Sequence, residues 1–202
     1  MGKVVADISI SLDGYVTGPG ADLQHGLGIG GEAIHGWVFA GHPVDSEILH
    51  RGLDETGAVV MGRRLFDFVD GPHGWTEELG YGAGTDQAAG GPPVVVVTHS
   101  PPSSWRLGER FRFATDICEA VGQARSAAGD KTVVVMGGAD VVRQSVLLGL
   151  ADELRLHLSP CLVGGGTPLF GPGDPSPRQL RQTDVVVSPH ATHLTYEVLG
   201  RS

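Results

Sequence analysis

Three short segments of the sequence place glycine, arginine or hydroxyl side chains directly after valine-rich runs. They are Gly62-Arg63-Arg64, Thr98-His99-Ser100 and Gly137-Gly138. Arginine binds phosphate through forked, charge-assisted hydrogen bonds, and hydroxyl and imidazole groups can add further donors. If the valine runs are neighbouring strands of one sheet, the three segments can bind one anionic ligand together. Taken singly, each segment has a plainer alternative, namely arginines that face solvent or a tight turn without a ligand.

The segment VVVMGGADVVRQ, residues 133–144, carries the clearest physical argument of the three. A β-branched run stops at two glycines and becomes helical at once. The first turn of a helix has backbone N–H groups without helical partners and the positive end of the helix dipole, so it attracts phosphate. Glycine has no side chain that would keep a diphosphate away from the backbone. The spacing differs from the GxGxxG fingerprint, and a ligand-free strand-to-helix turn is an equal alternative.

Composition and charge exclude several classes of function. The 202 residues, 41% of them hydrophobic, favour one domain over residues 1–202. A net charge of -9 provides no basic face for nucleic acid or an anionic membrane, so neither is expected as a partner. No apolar run has the length of a signal peptide core or a membrane span, and we expect a cytoplasmic protein.

Cysteine and histidine spacing predicts no metal site. Cys118 and Cys161 are isolated from each other and show no CxxC pattern, so we expect them to be buried thiols. The nine histidines show no HxxxH-type spacing that would favour a metal ion.

Hydrophobic periodicity predicts the elements that must position these segments. Strands are expected at residues 4–11, 58–61, 94–100 and 132–136, and helices at residues 43–57, 116–129 and 139–148. The chain ends in strands, the last two forming a hairpin from residues 184–188 and 192–199. Two glycine-rich loops cover residues 17–31 and 70–93. This order predicts an α/β fold with a mostly parallel central sheet, flanked by helices, and an antiparallel C-terminal edge. Ligands then bind beyond the carboxyl ends of the strands.

Five segments occur in the order and spacing of the dihydrofolate-reductase-like superfamily. They are SLDGYVTGP, VVMGRRLFD, VVVVTHSPP, VVVMGGADVVRQ and LADELRLHLSPCLVGGGTPLF. More closely, the sequence resembles the branch related to the C-terminal reductase domain of bifunctional riboflavin-biosynthesis deaminase-reductases. The resemblance runs from Lys3 to about Leu199. It implies a dihydrofolate-reductase-like fold, NADPH as the cofactor, and a homodimer with the C-terminal strands as a plausible interface.

The resemblance also assigns residues to the cofactor. It implies that the two glycines are joined by a cis peptide and present the next helix to the diphosphate. The arginines then lie at the diphosphate and the adenosine 2′-phosphate, the segment after the next valine run lines the adenosine side, and the first motif lies at the nicotinamide. The residues implied are Ser9, Val16, Thr17, Gly62, Arg63, Arg64, Thr98, His99, Gly137, Gly138, Ala139, Asp140 and Val141. NADPH is therefore favoured over NADH.

Two residues are candidates for proton chemistry. His157 lies in LRLHLSP, where the family sends a polar side chain toward the substrate, and histidine can donate a proton near neutral pH. Its alternative is a histidine satisfied within the core. Dihydrofolate reductases have an acidic residue at the start of the helix before the GR strand. The nearest candidates in this sequence are Asp45 and Glu47, of which Asp45 is assigned the role, and the alternative for Asp45 is a helix cap. The pocket wall is assigned to Gly165, Thr167 and Trp37, the last as part of an aromatic lid or as packing against the next helix.

The function that these features predict is an NADPH-dependent oxidoreductase that reduces a C=N or C=O bond of a small substrate, heterocycles included. Two departures from the family leave the substrate open. No part of the sequence matches the deaminase domain, and no basic residue is identified for a ribose phosphate. The alternatives are a non-catalytic protein that binds NADPH or another small molecule, and a true dihydrofolate reductase.

Overall fold

The computed structural model describes residues 2–72, 74–76, 80–81, 91–171 and 178–200. Its strands are β1 (Val4–Ser11), β2 (Thr56–Gly62), β3 (Val94–Val97), β4 (Phe111–Ala114), β5 (Thr132–Gly137), β6 (Glu153–Ser159), β7 (Leu180–Val187) and β8 (Thr192–Val198). Its helices are a 3₁₀ helix (Gly31–His35), α1 (Gly36–Phe39), α2 (Pro43–Glu55), α3 (Arg63–Asp70), α4 (Ile117–Ala128) and α5 (Ala139–Leu147).

All eight strands form one sheet in the order β4-β3-β2-β5-β1-β6-β8-β7. The strands from β4 to β6 are parallel, whereas β8 pairs antiparallel with both β6 and β7. This topology confirms the predicted fold class. Because β3, β2 and β5 are neighbours and parallel, the three segments predicted to bind phosphate leave the sheet at the same edge.

The helix α4 shows how the sequence fixes an element locally. Asp116 caps its first turn by accepting a hydrogen bond of 2.9 Å from the backbone N–H of Glu119. The helix buries one face in the core, including Ile117 and Ala120, and ends before Gly129. Cys118 falls on the opposite face and is exposed, so the expectation of a buried thiol is wrong there.

The two faces of β1, β6 and β8 differ in polarity. Alternation along each strand turns residues such as Ile8 and Leu154 into the apolar core that contains α4 and α5. The other face carries polar side chains, and Ser9, His157 and His193 on it are only 5–6% exposed. Because buried polar groups cost free energy unless they are hydrogen-bonded, this face must be organised by contacts among its own side chains.

Several predicted boundaries change in the structure. The strand β4 was not predicted, and β3 ends at Val97 instead of residue 100. The hairpin is confirmed as β7 and β8, with β7 starting earlier, at Leu180. Much of the predicted loop at residues 70–93 lies outside the described residues. Within the described ranges, no helix is long and apolar enough to cross a membrane.

Candidate active site

The three predicted phosphate-binding segments lie side by side at one edge of the sheet. Arg63 donates from Nε to Oδ1 of Asp67 at 2.7 Å and from its guanidinium to the backbone carbonyl of Ser100. This arginine therefore links the end of β2 to the loop after β3. A Cβ placed on Gly62 would lie 3.6 Å from the backbone nitrogen of Gly138, which brings the end of β2 against the start of α5.

The junction of β5 and α5 has the features that a diphosphate site needs. The peptide between Gly137 and Gly138 is cis, as the resemblance implies. Gly138 caps α5, no side chain caps that helix end, and a Cβ on Gly138 would meet no heavy atom within 4 Å. The first-turn N–H groups of α5, at residues 139–141, have no partner within the helix. The backbone here is open to a phosphate, and these residues fit the diphosphate of a dinucleotide cofactor.

The side chains around this junction are held by their own neighbours. Asp140 accepts hydrogen bonds from Arg143 at 2.5 Å and Gln144 at 2.7 Å, so its carboxylate is directed along its own helix. Thr98 is 8% exposed, and its Oγ1 accepts a 3.2 Å hydrogen bond from the backbone N–H of Ser100. The remaining predicted residues on this side, Arg64 and His99, are exposed and accessible to a ligand.

The loops that follow β1 and β6 are tied together. The Asp13 carboxylate accepts backbone hydrogen bonds from Val163 at 3.3 Å and Gly164 at 2.8 Å. Oγ1 of Thr17 accepts a hydrogen bond of 3.1 Å from the backbone N–H of Thr167. The structure thus brings predicted nicotinamide-side and pocket residues into one wall, namely Val16, Thr17, Gly165 and Thr167.

Four titratable side chains on the polar face of β1, β6 and β8 form a continuous hydrogen-bonded chain, which we call the polar network. Nε2 of His157 lies 3.0 Å from Oδ1 of Asp7, and Nδ1 of His157 lies 2.7 Å from Nδ1 of His193. Nε2 of His193 lies 2.9 Å from Oδ1 of Asp45. The side-chain exposure falls from 27% at Asp7 to 1% at Asp45, so the network runs from the surface into the interior.

Trp37 covers the two histidines of the network. Its ring centroid lies 4.4 Å from that of His157 and 4.9 Å from that of His193. The indole N–H donates to Oγ of Ser9 at 3.0 Å, which fixes the ring over the sheet. Trp37 is 4% exposed, whereas Phe39 is 74% exposed and cannot share this role. In this structure Trp37 therefore packs directly onto the polar network.

The electrostatics of the network favour ionised carboxylates. Burial alone would raise the pKa of Asp45, but hydrogen bonding from His193 and Ser188 holds that pKa below its usual value. The pKa of Asp7 is also lowered, because its interactions with His157 outweigh burial. Burial lowers the pKa of His193 despite its hydrogen bond to Asp45. Among the described residues, no group of three His, Cys, Asp or Glu side chains is placed to hold a metal ion.

His157 and Asp45, which the sequence suggested separately, belong to the same network. The N-cap of α2 is His42, and the Asp45 side chain turns to His193, so the helix-cap interpretation of Asp45 is wrong. Sequence reasoning missed Asp7 and His193. A signal was present in the alternation of polar residues along β1, a strand with neighbours on both sides, because such a strand is expected to bury both of its faces.

The sequence of the chain matches a known protein family. The model of the RibD C-terminal domain matches residues 2–194. The chain therefore belongs to the RibD C-terminal domain family. A relative of this RibD-family chain is YyaP, an uncharacterized protein of Bacillus subtilis strain 168. It is 22% identical over 176 residues, which cover 83% of this chain and 80% of YyaP.

Solved structures confirm the dihydrofolate-reductase-like fold of this RibD-family chain. A putative riboflavin biosynthesis protein from Shewanella sp. PV-4 superposes with a TM-score of 0.67 at 20% identity, covering 98% of this chain and 99% of that one. A pyrimidine reductase-like protein from Corynebacterium diphtheriae gives 0.64 at 18% identity, covering 99% and 93%. A diaminohydroxyphosphoribosylaminopyrimidine deaminase/5-amino-6-(5-phosphoribosylamino)uracil reductase from Thermotoga maritima gives 0.60 at 14% identity, covering 98% and 57%.

Proposed function

We propose that this RibD-family chain is an NADPH-dependent reductase that acts on a C=N or C=O bond of a small substrate. The observation that carries the proposal is the open junction between Gly137 and α5, which lies beside the Arg63 segment. The same sheet carries a buried network of histidines and carboxylates. Membership of the RibD family supports an oxidoreductase, as does the named activity of the Thermotoga maritima neighbour.

The residues of the chain divide into two sets. The N–H groups of residues 139–141 would hold the NADPH diphosphate, and Arg63 and Arg64 would hold the diphosphate and the 2′-phosphate. Bound NADPH supplies a hydride, and it carries the difficult chemistry. The chain supplies orientation of the substrate and a proton, the latter from the polar network around His157 and Asp45.

The charges on the polar face favour a substrate without a phosphate group. Asp7 and Asp45 are carboxylates whose lowered pKa values keep them ionised at neutral pH. Arg155 lies opposite Asp7 in the register of β1 and β6. Its guanidinium already donates hydrogen bonds to Glu153 at 2.7 Å and to Glu55 at 3.3 Å. Two carboxylates repel a phosphorylated ligand, and this arginine is neutralised by its own partners. We therefore favour neutral or cationic substrates such as cyclic imines.

A homodimer through the C-terminal strands is part of the same proposal. β7 is the edge of the sheet, and it exposes Leu180 by 37%, Val185 by 42% and Val187 by 66%. An exposed edge strand offers unpaired backbone groups to a second strand, and apolar side chains add area to such a contact. Sedimentation velocity of the purified chain distinguishes a monomer from a dimer.

NADPH oxidation with a panel of electrophiles tests the proposed activity. The panel contains cyclic imines, ketones and pyrimidines, each with and without a phosphate group, and dihydrofolate. We expect oxidation with an unphosphorylated C=N or C=O compound and slower oxidation with its phosphorylated partner. Stoichiometric NADPH binding without oxidation by any compound would favour the non-catalytic binder. Oxidation with dihydrofolate alone would favour a true dihydrofolate reductase.

A further inference from the structure

The contact between His157 and His193 joins two nitrogens of the same kind. Their Nδ1 atoms lie 2.7 Å apart, and neither Nδ1 atom has another hydrogen-bond partner among the residues that the structure describes. A ring nitrogen carries either a hydrogen or a lone pair. Two lone pairs at this distance repel, and two N–H groups collide. One Nδ1 must therefore donate and the other accept.

The outer nitrogens of the same two rings are fixed by the carboxylates. Nε2 of His157 faces Asp7 and Nε2 of His193 faces Asp45. An ionised carboxylate only accepts hydrogen bonds, so both Nε2 atoms must carry a hydrogen. Three hydrogens then occupy four ring nitrogens. That arrangement is one imidazolium and one neutral imidazole bridged by a single proton.

We propose that His157 and His193 share one proton in the resting protein, and that the polar network supplies this proton to the substrate. Asp45 is the interior end of the network, because its side chain is 1% exposed and its Oδ2 atom is buried. Asp7, whose side chain is 27% exposed, is the end where water restores the proton. The shared proton follows from the geometry alone, whereas its use in catalysis rests on the proposed reductase activity.

The reaction balances with one hydride and one proton. The hydride forms the new C–H bond, and the π electron pair of the C=N or C=O bond moves to the heteroatom. That atom takes the proton from the network, and water replaces it through Asp7. His193 is a positioning residue in this scheme, because it acts through the proton that it shares with His157.

The surroundings of the histidine pair admit one proton and resist a second. Burial lowers the pKa of His193, and the charge of His157 lowers it further. Trp37 lies against both rings and excludes water from them. Burial raises the pKa of Tyr81 to about 12, so this side chain stays neutral. Within the described part of the chain, the network is also faced by His35 from the 3₁₀ helix, His42 beside α2, and Arg155 from β6.

The variant His193→Gln separates this proposal from a structural role for the histidine. The glutamine amide can keep a donor toward Asp45, but it cannot share a proton with His157. His50→Gln, at an exposed position of α2, is the matched control. The first readout is NMR of the free protein labelled with ¹⁵N in its histidines. The second is the pH profile of kcat with NADPH and whichever panel compound is reduced.

We expect a downfield proton signal bound to imidazole Nδ1 in the wild type and in His50→Gln, and its loss in His193→Gln. We also expect kcat of His193→Gln to fall by roughly tenfold or more at pH 8, with the KM for NADPH unchanged, because positioned proton donors contribute at least that much. Independent titration of the two histidines without a shared proton overturns the proposal. An unchanged pH profile in His193→Gln overturns the catalytic role of the proton. A wild-type protein that shows the NMR signal and reduces nothing disproves the proposed function and leaves the shared proton established.

Discussion

Asp45→Ala is expected to lower the free energy of unfolding by about 3 kcal/mol at pH 7, because removal of one member of a buried ion pair leaves its partner uncompensated. Asp45 is 1% exposed and lies 2.9 Å from Nε2 of His193. Without the carboxylate, the buried imidazole loses its acceptor, and the proton shared with His157 loses half of its counter-charge. Urea denaturation of both proteins measures the difference.

The pH dependence of this effect has a definite sign. The pKa of Asp45 lies below its ordinary value of 3.8 in the folded protein, so the carboxylate stabilises the fold above that pH. The stabilisation is lost as the pH falls through the lowered folded pKa, and the two proteins should then converge. Asp54→Ala, on the exposed side of the same helix, should cost less than about 0.5 kcal/mol. A loss below 1 kcal/mol for Asp45→Ala, close to that of the control, would contradict the buried pairing.

Gly137→Ala is expected to lower the free energy of unfolding by about 2 kcal/mol and to abolish most NADPH binding. The φ angle of Gly137 is +135°, a region that residues with a Cβ avoid at a cost of about 1–3 kcal/mol. The new Cβ would also lie 3.3 Å from Cδ2 of Leu65. Relief of this strain must move the junction that presents α5 to the diphosphate. Thermal denaturation with and without NADPH measures both effects.

The matched control for this substitution is Gly122→Ala. Gly122 lies on the exposed side of α4, where a Cβ would meet no heavy atom within 4 Å. Alanine is the better helix former by about 1 kcal/mol, so this variant should be at least as stable as the wild type. Equal behaviour of the two variants would show that the backbone at Gly137 is not special.

The order of elements could be predicted because strong periodicity and glycine boundaries mark most of them. β1, α2 and α4 lie close to their predicted limits, and α5 begins at Ala139 as expected. The strand β4 was not predicted, because its four residues, FRFA, are too few to show an alternating pattern. Short strands of this kind are defined by pairing with a neighbour, which a single sequence does not display.

More of the proposed cofactor site than of the polar network could be predicted from the sequence. The glycine and arginine segments are contiguous in sequence, so their chemistry is visible before the fold is known. The polar network joins Asp7, Asp45, His157 and His193, which come from three strands and one helix. Their meeting depends on the register of β6 with β1 and β8, which pairs His157 with Ser9 and with His193. Register is set by tertiary packing, so only half of this network was foreseen.

Calorimetric titration of NADPH and NADH into the purified chain tests the assignment of the cofactor site most directly. The proteins to compare are the wild type, Arg63→Ala, Arg64→Ala and, as a control on the exposed side of β4, Arg112→Ala. We expect one NADPH per chain, bound more tightly than NADH. Each of the first two variants should weaken NADPH binding by roughly tenfold or more, since a charge-assisted hydrogen bond contributes about 1.5–3 kcal/mol. The control should bind NADPH as the wild type does. Absence of NADPH binding by the wild type, or equal affinities in all four proteins, would contradict a dinucleotide site at this edge of the sheet.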